Sequence, residues 1–171
     1  MGIPVMIPGI ASDLNTSTNV ASWVFLVFTL ALAGTFVPAA HVGNMLGHRK
    51  VATIGSLIEV VILLAISAAP NITILIGLRF FEGIVRGMAV PNWQTAAIAS
   101  FAQGERGKPL GIIFGTISTA TLFIPAAAGG ITDAWGWRWV FIISAVRILL
   151  VTSLSLLNSK GEDGQKRQRP E

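Results

Sequence analysis

From Leu14 to His48 the chain contains no Asp, Glu, Lys or Arg, and the same is true from Pro109 to Thr132. A helix needs about 20 mostly apolar residues to cross the hydrocarbon core of a bilayer, so each run is long enough to span. Val51 to Asn71 carries only Glu59, and Trp139 to Ser159 carries only Arg147. Ile72 to Gln103 is also apolar but holds Arg79, Glu82 and Arg86. Strands of a membrane barrel would alternate polar and apolar residues, and these runs do not. The expected fold is therefore all-α, a polytopic membrane helical bundle with spans at about 20–43, 51–69, 72–101, 110–131 and 138–157. Composition agrees: 12% of the residues are charged, against about 25% in a soluble domain, and the mean hydropathy is +0.71.

Polar breaks fall between the runs, at "SDLNTSTN", "GHRK", "APN", "QGERGKP" and "TDAWG". They also set an orientation. One side receives Arg49, Lys50, Arg106, Lys108, Lys160, Lys166, Arg167 and Arg169, whereas the other receives only Arg138. The positive-inside rule makes the first side cytoplasmic, with the start of the chain outside and the carboxy terminus inside. The opening "MGIPVMIPGIA" is apolar but too short to span, so residues 1–19 are expected to form an outer segment with the remnant of a truncated helix, the alternative being an interfacial segment that lies at the outer surface. Residues 158–171 are polar and without periodicity and should form a disordered cytoplasmic tail. Trp23, Trp135, Trp137 and Trp139 fall at outer span ends, where indole rings prefer the headgroup region.

Several functions are disfavoured at once. There is no cysteine for a disulfide, thiolate metal site or thiol nucleophile. The net charge of +4 comes without the basic stripe and stacking aromatics of a nucleic-acid surface. His41 and His48 lack the companions of a catalytic or metal constellation, so neither an enzyme nor a cofactor is expected.

The charges inside the third apolar run carry the functional signal. At 100 degrees per residue Arg79 and Arg86 project about 20 degrees apart, with Glu82 within about 60 degrees of both. An ionised side chain at mid-membrane costs at least about 2.5 kcal/mol, so this face should line a cavity or the bundle interior. It is either a substrate and proton site or an ion-pair ladder that glues helices together. Trp93 lies about two turns beyond Arg86 near the same face and is a further cavity candidate. Glu59, alone in its span, is either a proton carrier or a neutral acid hydrogen-bonded to a neighbouring helix. Pro125 can bend its helix while Gly129 and Gly130 admit close backbone approach, for rocking motions or for static packing.

Three segments together resemble the major facilitator superfamily of secondary transporters, and within it the fourteen-helix drug/proton antiporter branch. "AHVGNMLGHRK" (40–50) is similar to the family's G-x-L-x-D-x-x-G-R-K/R loop, with Gly47, Arg49 and Lys50 carrying the likeness. His48 stands where the first arginine is usual, and Asn44 where an acidic residue is usual. "RFFEGIVRG" (79–87) resembles the fourth-helix R-x-x-x-G pattern through Arg79 and Gly83. "IPAAAGGITDAWGWRWVF" (124–141) resembles the fifth-helix antiporter signature, followed by the branch's W-R-W-x-F, although Ile124 replaces a glycine and the glycine pair sits one residue late.

The resemblance implies that the five spans correspond to the family's second to sixth helices. The first helix is then almost absent and the carboxy-terminal half missing. It implies a plasma-membrane transporter fragment whose complete form exports small hydrophobic or amphipathic molecules by alternating access, driven by proton entry. Its partners would be the lipid bilayer, the small-molecule substrate, protons and the missing half. Asn44, Gly47, Arg49 and Lys50 would form a cytoplasmic gating loop. The alternative is a non-transporting multi-pass membrane assembly protein whose polar spans serve packing.

Overall fold

The computed structural model describes residues 3–99 and 107–167. Among them are six helices and no strand: α1 (Ile3–Asp13), α2 (Thr18–Leu46), α3 (His48–Ser67), α4 (Ile72–Ala99), α5 (Gly107–Trp135) and α6 (Trp137–Arg167). Four of them are long and apolar enough to cross a membrane, over Thr18–Leu46, His48–Ser67, Leu110–Trp135 and Trp137–Leu157. The sequence suggests five. The difference is α4, which has the length, at 28 residues, but carries Arg79, Glu82 and Arg86 through its middle.

Helix ends follow local chemistry. Ser17 caps α2, its hydroxyl accepting the Val20 N–H at 3.4 Å. Gly47 alone separates α2 from α3, at φ +90°, a region that a Cβ disfavours, and its N–H bonds the Gly43 carbonyl at 2.9 Å. Gly136, also at φ +90°, makes the corresponding turn between α5 and α6. Prolines 8, 38, 91 and 125 all sit inside helices, as membrane helices tolerate when neighbours satisfy the freed backbone groups. The opening apolar segment is thus a single helix running through Pro8, with Met6 and Ile10 buried against α2 and its neighbours. At the other end α6 keeps a helical backbone to Arg167, beyond the boundary expected at 157. The last four residues of the tail lie outside the described residues.

The tightest packing joins α2 and α4, and glycine makes it possible. A Cβ built on Gly83 would lie 2.5 Å from the Phe28 carbonyl oxygen, and one on Gly87 would lie 2.0 Å from Thr35 Oγ1. Spaced four apart, Gly83 and Gly87 form a small-xxx-small stripe that lets the two backbones touch. α3 packs on α4 and α6, and α1 fits among α2, α5 and α6. α5 is peripheral: no residue of its most apolar window is buried. Most large side chains facing outward are apolar, including Leu30, Val61, Phe123 and Leu154. Such a surface suits a hydrocarbon solvent.

Candidate functional site

Arg79, on α4, is 1% exposed, and its surroundings explain how a guanidinium survives there. Its Nη1 pairs with Glu82 Oε2 one turn on, and its Nε donates to the Val24 carbonyl of α2 at 3.2 Å. The guanidinium carbon also lies 4.0 Å from the Phe28 ring centroid and 5.7 Å from that of Phe141, a cation–π arrangement. Arg79 thereby ties α4 to α2 and touches α6.

The chain of charges then runs outward. Glu82 Oε1 lies 3.7 Å from Arg86 Nη1, and the same nitrogen lies 3.3 Å from Glu59 Oε1 on α3. Arg86 is therefore shared between carboxylates of two helices. The side chain of Arg86 is 33% exposed, against 1% for Glu82 and 5% for Glu59. The sequence places Arg79, Glu82 and Arg86 on one face of α4, and the structure brings Glu59 to that face as well.

Two cavities open along this chain. One of about 210 Å³ is lined by Arg79, Glu82 and Arg86 together with Phe28, Phe141 and Arg147. A second of about 160 Å³ is lined by Ser56, Glu59, Arg86, Trp93 and Arg147. The Trp93 indole N–H donates to Ser56 Oγ at 2.9 Å, which holds its ring against the second cavity. Arg147, the single charge in the last apolar run, lies in the wall of both cavities beside Arg86. The sequence signals it as plainly as Glu59, yet it stands outside the candidate set read from sequence.

The predicted gating residues sit apart from these cavities. With Gly47 as the whole turn, Asn44 closes α2 and His48 opens α3. His48 Nδ1 lies 2.6 Å from Asn92 Oδ1 on α4, and Nε2 lies 3.1 Å from Asn44 Oδ1. The Asn92 amide nitrogen donates to the carbonyls of Ala39, at 3.0 Å, and Met88, at 2.7 Å. That fixes the amide orientation and makes His48 Nδ1 the donor to its oxygen. Gly43 leaves room for the contact, since a Cβ there would meet Asn92 Oδ1 at 1.9 Å. His48 and Asn92, neither among the gating candidates, thus supply the link from this turn to α4. Arg49 follows His48 on α3, its carbonyl accepting the Thr53 hydroxyl at 2.8 Å. Lys50 lines an apolar groove of about 240 Å³ with Ile54, Ile84 and Met88.

Pro125, Gly129 and Gly130 of the antiporter-like segment sit close together on α5 but in different surroundings. Pro125 is half-buried inside the helix, a Cβ on Gly129 would meet Val5 Cγ1 of α1 at 3.1 Å, and Gly130 faces open space. At the opposite end from the turn at Gly47, Asp13 Oδ2 pairs with Arg138 Nη1 and accepts the Trp137 indole N–H at 3.1 Å. Arg138 also donates to the Ala69 carbonyl at 3.3 Å, clasping α1, α6 and the end of α3. Trp137 is consequently 3% exposed and packed on Phe141, not an interfacial anchor, because the turn at Gly136 carries its ring inward. Trp23, Trp135 and Trp139 remain exposed.

A sequence profile described as the Major Facilitator Superfamily matches residues 1–171, and the chain belongs to that family. Among curated relatives, the fatty acid resistance protein FarB of Neisseria gonorrhoeae is 27% identical over 140 residues, covering 82% of this chain and 28% of FarB. The multidrug export protein EmrB of Escherichia coli K12 is 24% identical over 165 residues, covering 96% of this chain and 32% of EmrB. A puromycin resistance protein of Streptomyces alboniger is 28% identical over 150 residues, covering 86% of this chain and 30% of that protein. The chain spans about a third of the length of these relatives. Family and apolar helices together define a multi-pass membrane protein of transporter type, which points away from an enzyme.

Proposed function

We propose that this chain is a helical bundle of an exporter which, in its complete form, moves small hydrophobic or amphipathic molecules out of the cell by alternating access coupled to proton entry. In this reading α2 to α6 are the five spans, equivalent to the family's second to sixth helices, and α1 contributes part of the first. The start of the chain lies outside and its carboxy terminus in the cytoplasm, following the basic residues. A second half, supplied by the rest of the polypeptide, closes the cavities that this bundle lines.

The observation that carries the proposal is the graded chain Arg79–Glu82–Arg86–Glu59. It begins as a wholly buried pair and ends at an arginine held between two carboxylates at the wall of both cavities. Ionised groups in a span are costly and face a pathway or one another, and this chain does both. A proton reaching Glu59 removes its charge and leaves Arg86 to Glu82 alone. That change couples protonation to the position of a cavity cation. Trp93 supplies an apolar wall beside it, the hydrogen-bonded turn at Asn44, Gly47, Arg49 and Lys50 gates the cytoplasmic side, and α5 bends at Pro125 with Gly129 and Gly130 as its slender face. The relatives' names, with fatty acid resistance and multidrug export among them, support a lipophilic substrate.

The assembly reading has support of its own at one place: Arg79 and Glu82 are both 1% exposed and paired with each other, and Arg79 binds α2, as a packing group would. The two readings divide cleanly by residue. In a complete transporter Arg86→Gln and Glu59→Gln are expected to lower proton-driven uptake of a fluorescent amphipath into inverted membrane vesicles by about tenfold or more, with protein levels unchanged. Uptake at the normal rate in both variants would sink the transport role of the pair. Residues 1–171 reconstituted alone should move no substrate under an imposed proton gradient.

A further inference from the structure

The two cavities lie on opposite sides of one charged layer, formed by Glu59 of α3, Arg86 of α4 and Arg147 of α6. The larger takes Leu63, Glu82 and Ser144, each one turn from that layer towards the Asp13–Arg138 clasp. The smaller takes Ser56, Trp93 and Thr152, displaced along the same three helices towards the Gly47 turn. Every residue lining the smaller cavity belongs to α3, α4 or α6. Its polar groups are also incompletely used. Glu59 Oε1 is a buried acceptor that receives no hydrogen bond among the described residues, its approach to Arg86 being an ion pair at 3.3 Å. Ser56, one turn nearer the Gly47 end, accepts the Trp93 indole N–H, which leaves its own O–H to donate. Thr152, 2% exposed, meets the same space from α6. At about 160 Å³, with hydroxyl and carboxylate groups in its wall, this cavity has both the room and the partners for water. The charged groups facing Glu59 are Arg86, Glu82, Arg147 and Arg79, and none lies between it and the Gly47 end.

Resting on the transport reading above, we infer that a proton released by Glu59 reaches the cytoplasm inside this bundle, through the smaller cavity, without passing through the space that receives substrate. Ser56 and Thr152 are its relay residues. The Glu59 carboxyl O–H breaks and its proton passes to a cavity water, and each hydroxyl on the route accepts one proton as it gives up its own. Glu59 is left as a carboxylate that pairs again with Arg86, and one proton emerges at the Gly47 end. Arg86 and Arg147 are the side chains common to both cavities, and two guanidinium groups at that boundary oppose the passage of a free hydronium. The proton therefore crosses the layer on Glu59, and substrate and proton leave by separate exits.

Two measurements test the route. In membrane vesicles of either orientation carrying residues 1–171, Thr152→Cys supplies the single thiol, and silver ion, a cation small enough to travel with water, is the probe. Silver should consume the thiol from the cytoplasmic face and not from the outer face, read as loss of maleimide labelling after denaturation. Reaction from the outer face alone, or from neither, overturns the route. In the complete transporter, Thr152→Val keeps the side-chain shape and removes the hydroxyl, and Ser56→Val has the shape of its hydroxyl-bearing control, Ser56→Thr. Both valine variants should lower proton-driven uptake by about tenfold, whereas Ser56→Thr retains most of it. Exchange of labelled for unlabelled substrate, which releases no net proton, should continue at the parental rate in all three. Uptake that falls in Glu59→Gln but stays normal in both valine variants overturns the route and leaves the transport reading standing. Normal uptake in Glu59→Gln removes both. Exchange lost in step with uptake would make Ser56 and Thr152 packing residues and overturn the relay.

Discussion

Glu82→Gln is expected to destabilise the bundle by about 3–5 kcal/mol, the largest effect of any single substitution considered. The residue and its partner Arg79 are each 1% exposed, so neither has water to fall back on. Glutamine preserves the shape and one acceptor oxygen but withdraws the charge, leaving the buried Arg79 cation with neutral partners alone: the amide oxygen, the Val24 carbonyl and the faces of Phe28 and Phe141. Removing one partner of a buried pair strands the other, whereas removing both is far milder when apolar groups fill the space. The double variant Arg79→Met with Glu82→Leu should therefore recover most of the lost stability. Thermal unfolding of the purified chain in detergent checks both. A Tm within a degree or so of the parent for Glu82→Gln would mean that the pair contributes little, and the structural role given to it would be wrong.

Gly87→Val is the second large effect. The added Cβ alone would lie 2.0 Å from Thr35 Oγ1 and 2.8 Å from the Leu32 carbonyl oxygen, and valine adds two methyl groups beyond it. The threonine side chain can rotate away, but the carbonyl belongs to α2 itself. The two helices must then separate along the whole stripe that includes Gly83. Forcing extra volume into such a contact costs about 1–3 kcal/mol, and here it also pulls Val24 away from Arg79. Gly34→Ala is the matched control, since a Cβ at Gly34 meets nothing within 4 Å. The same unfolding measurement should show a large fall in Tm for the first and none for the second. Equal behaviour of the two would contradict the close approach of α2 and α4.

Much of this architecture is legible in the residues. Uncharged runs announce the helices, and the single glycines at 47 and 136 mark the turns, because spanning length and backbone freedom are local properties. The face shared by Arg79, Glu82 and Arg86 is legible for the same reason: helical spacing alone places them together. Gly83 and Gly87 are visible too, as a spacing of four between small residues, although the partner helix is not. What the sequence hides is long-range. Nothing local joins His48 to Asn92, 44 residues on, or Asp13 to Arg138, 125 residues on. Trp137 is misplaced by its flanks, since three tryptophans in five positions suggest a belt at the headgroups. The Gly136 turn and the Asp13 carboxylate instead draw the middle one inward. The three charges of α4 do not hide its length from the sequence, but they set it apart from the four helices that are apolar enough to cross a membrane.

The central claim is that the ionic chain of α4 faces a water-accessible substrate cavity and not lipid. The chain contains no cysteine, so a single introduced thiol reports without background. Ser144, one turn before Arg147 on α6, lines the larger cavity, whereas Val61 lies on the outer surface of α3 at 67% exposure. The most direct measurement is the reaction rate of Ser144→Cys and Val61→Cys, each in membrane vesicles, with a charged thiol reagent that does not enter lipid. The account predicts rapid labelling of Ser144→Cys and essentially none of Val61→Cys. Labelling of Val61→Cys as fast as Ser144→Cys, or an unreactive thiol at 144, would contradict it.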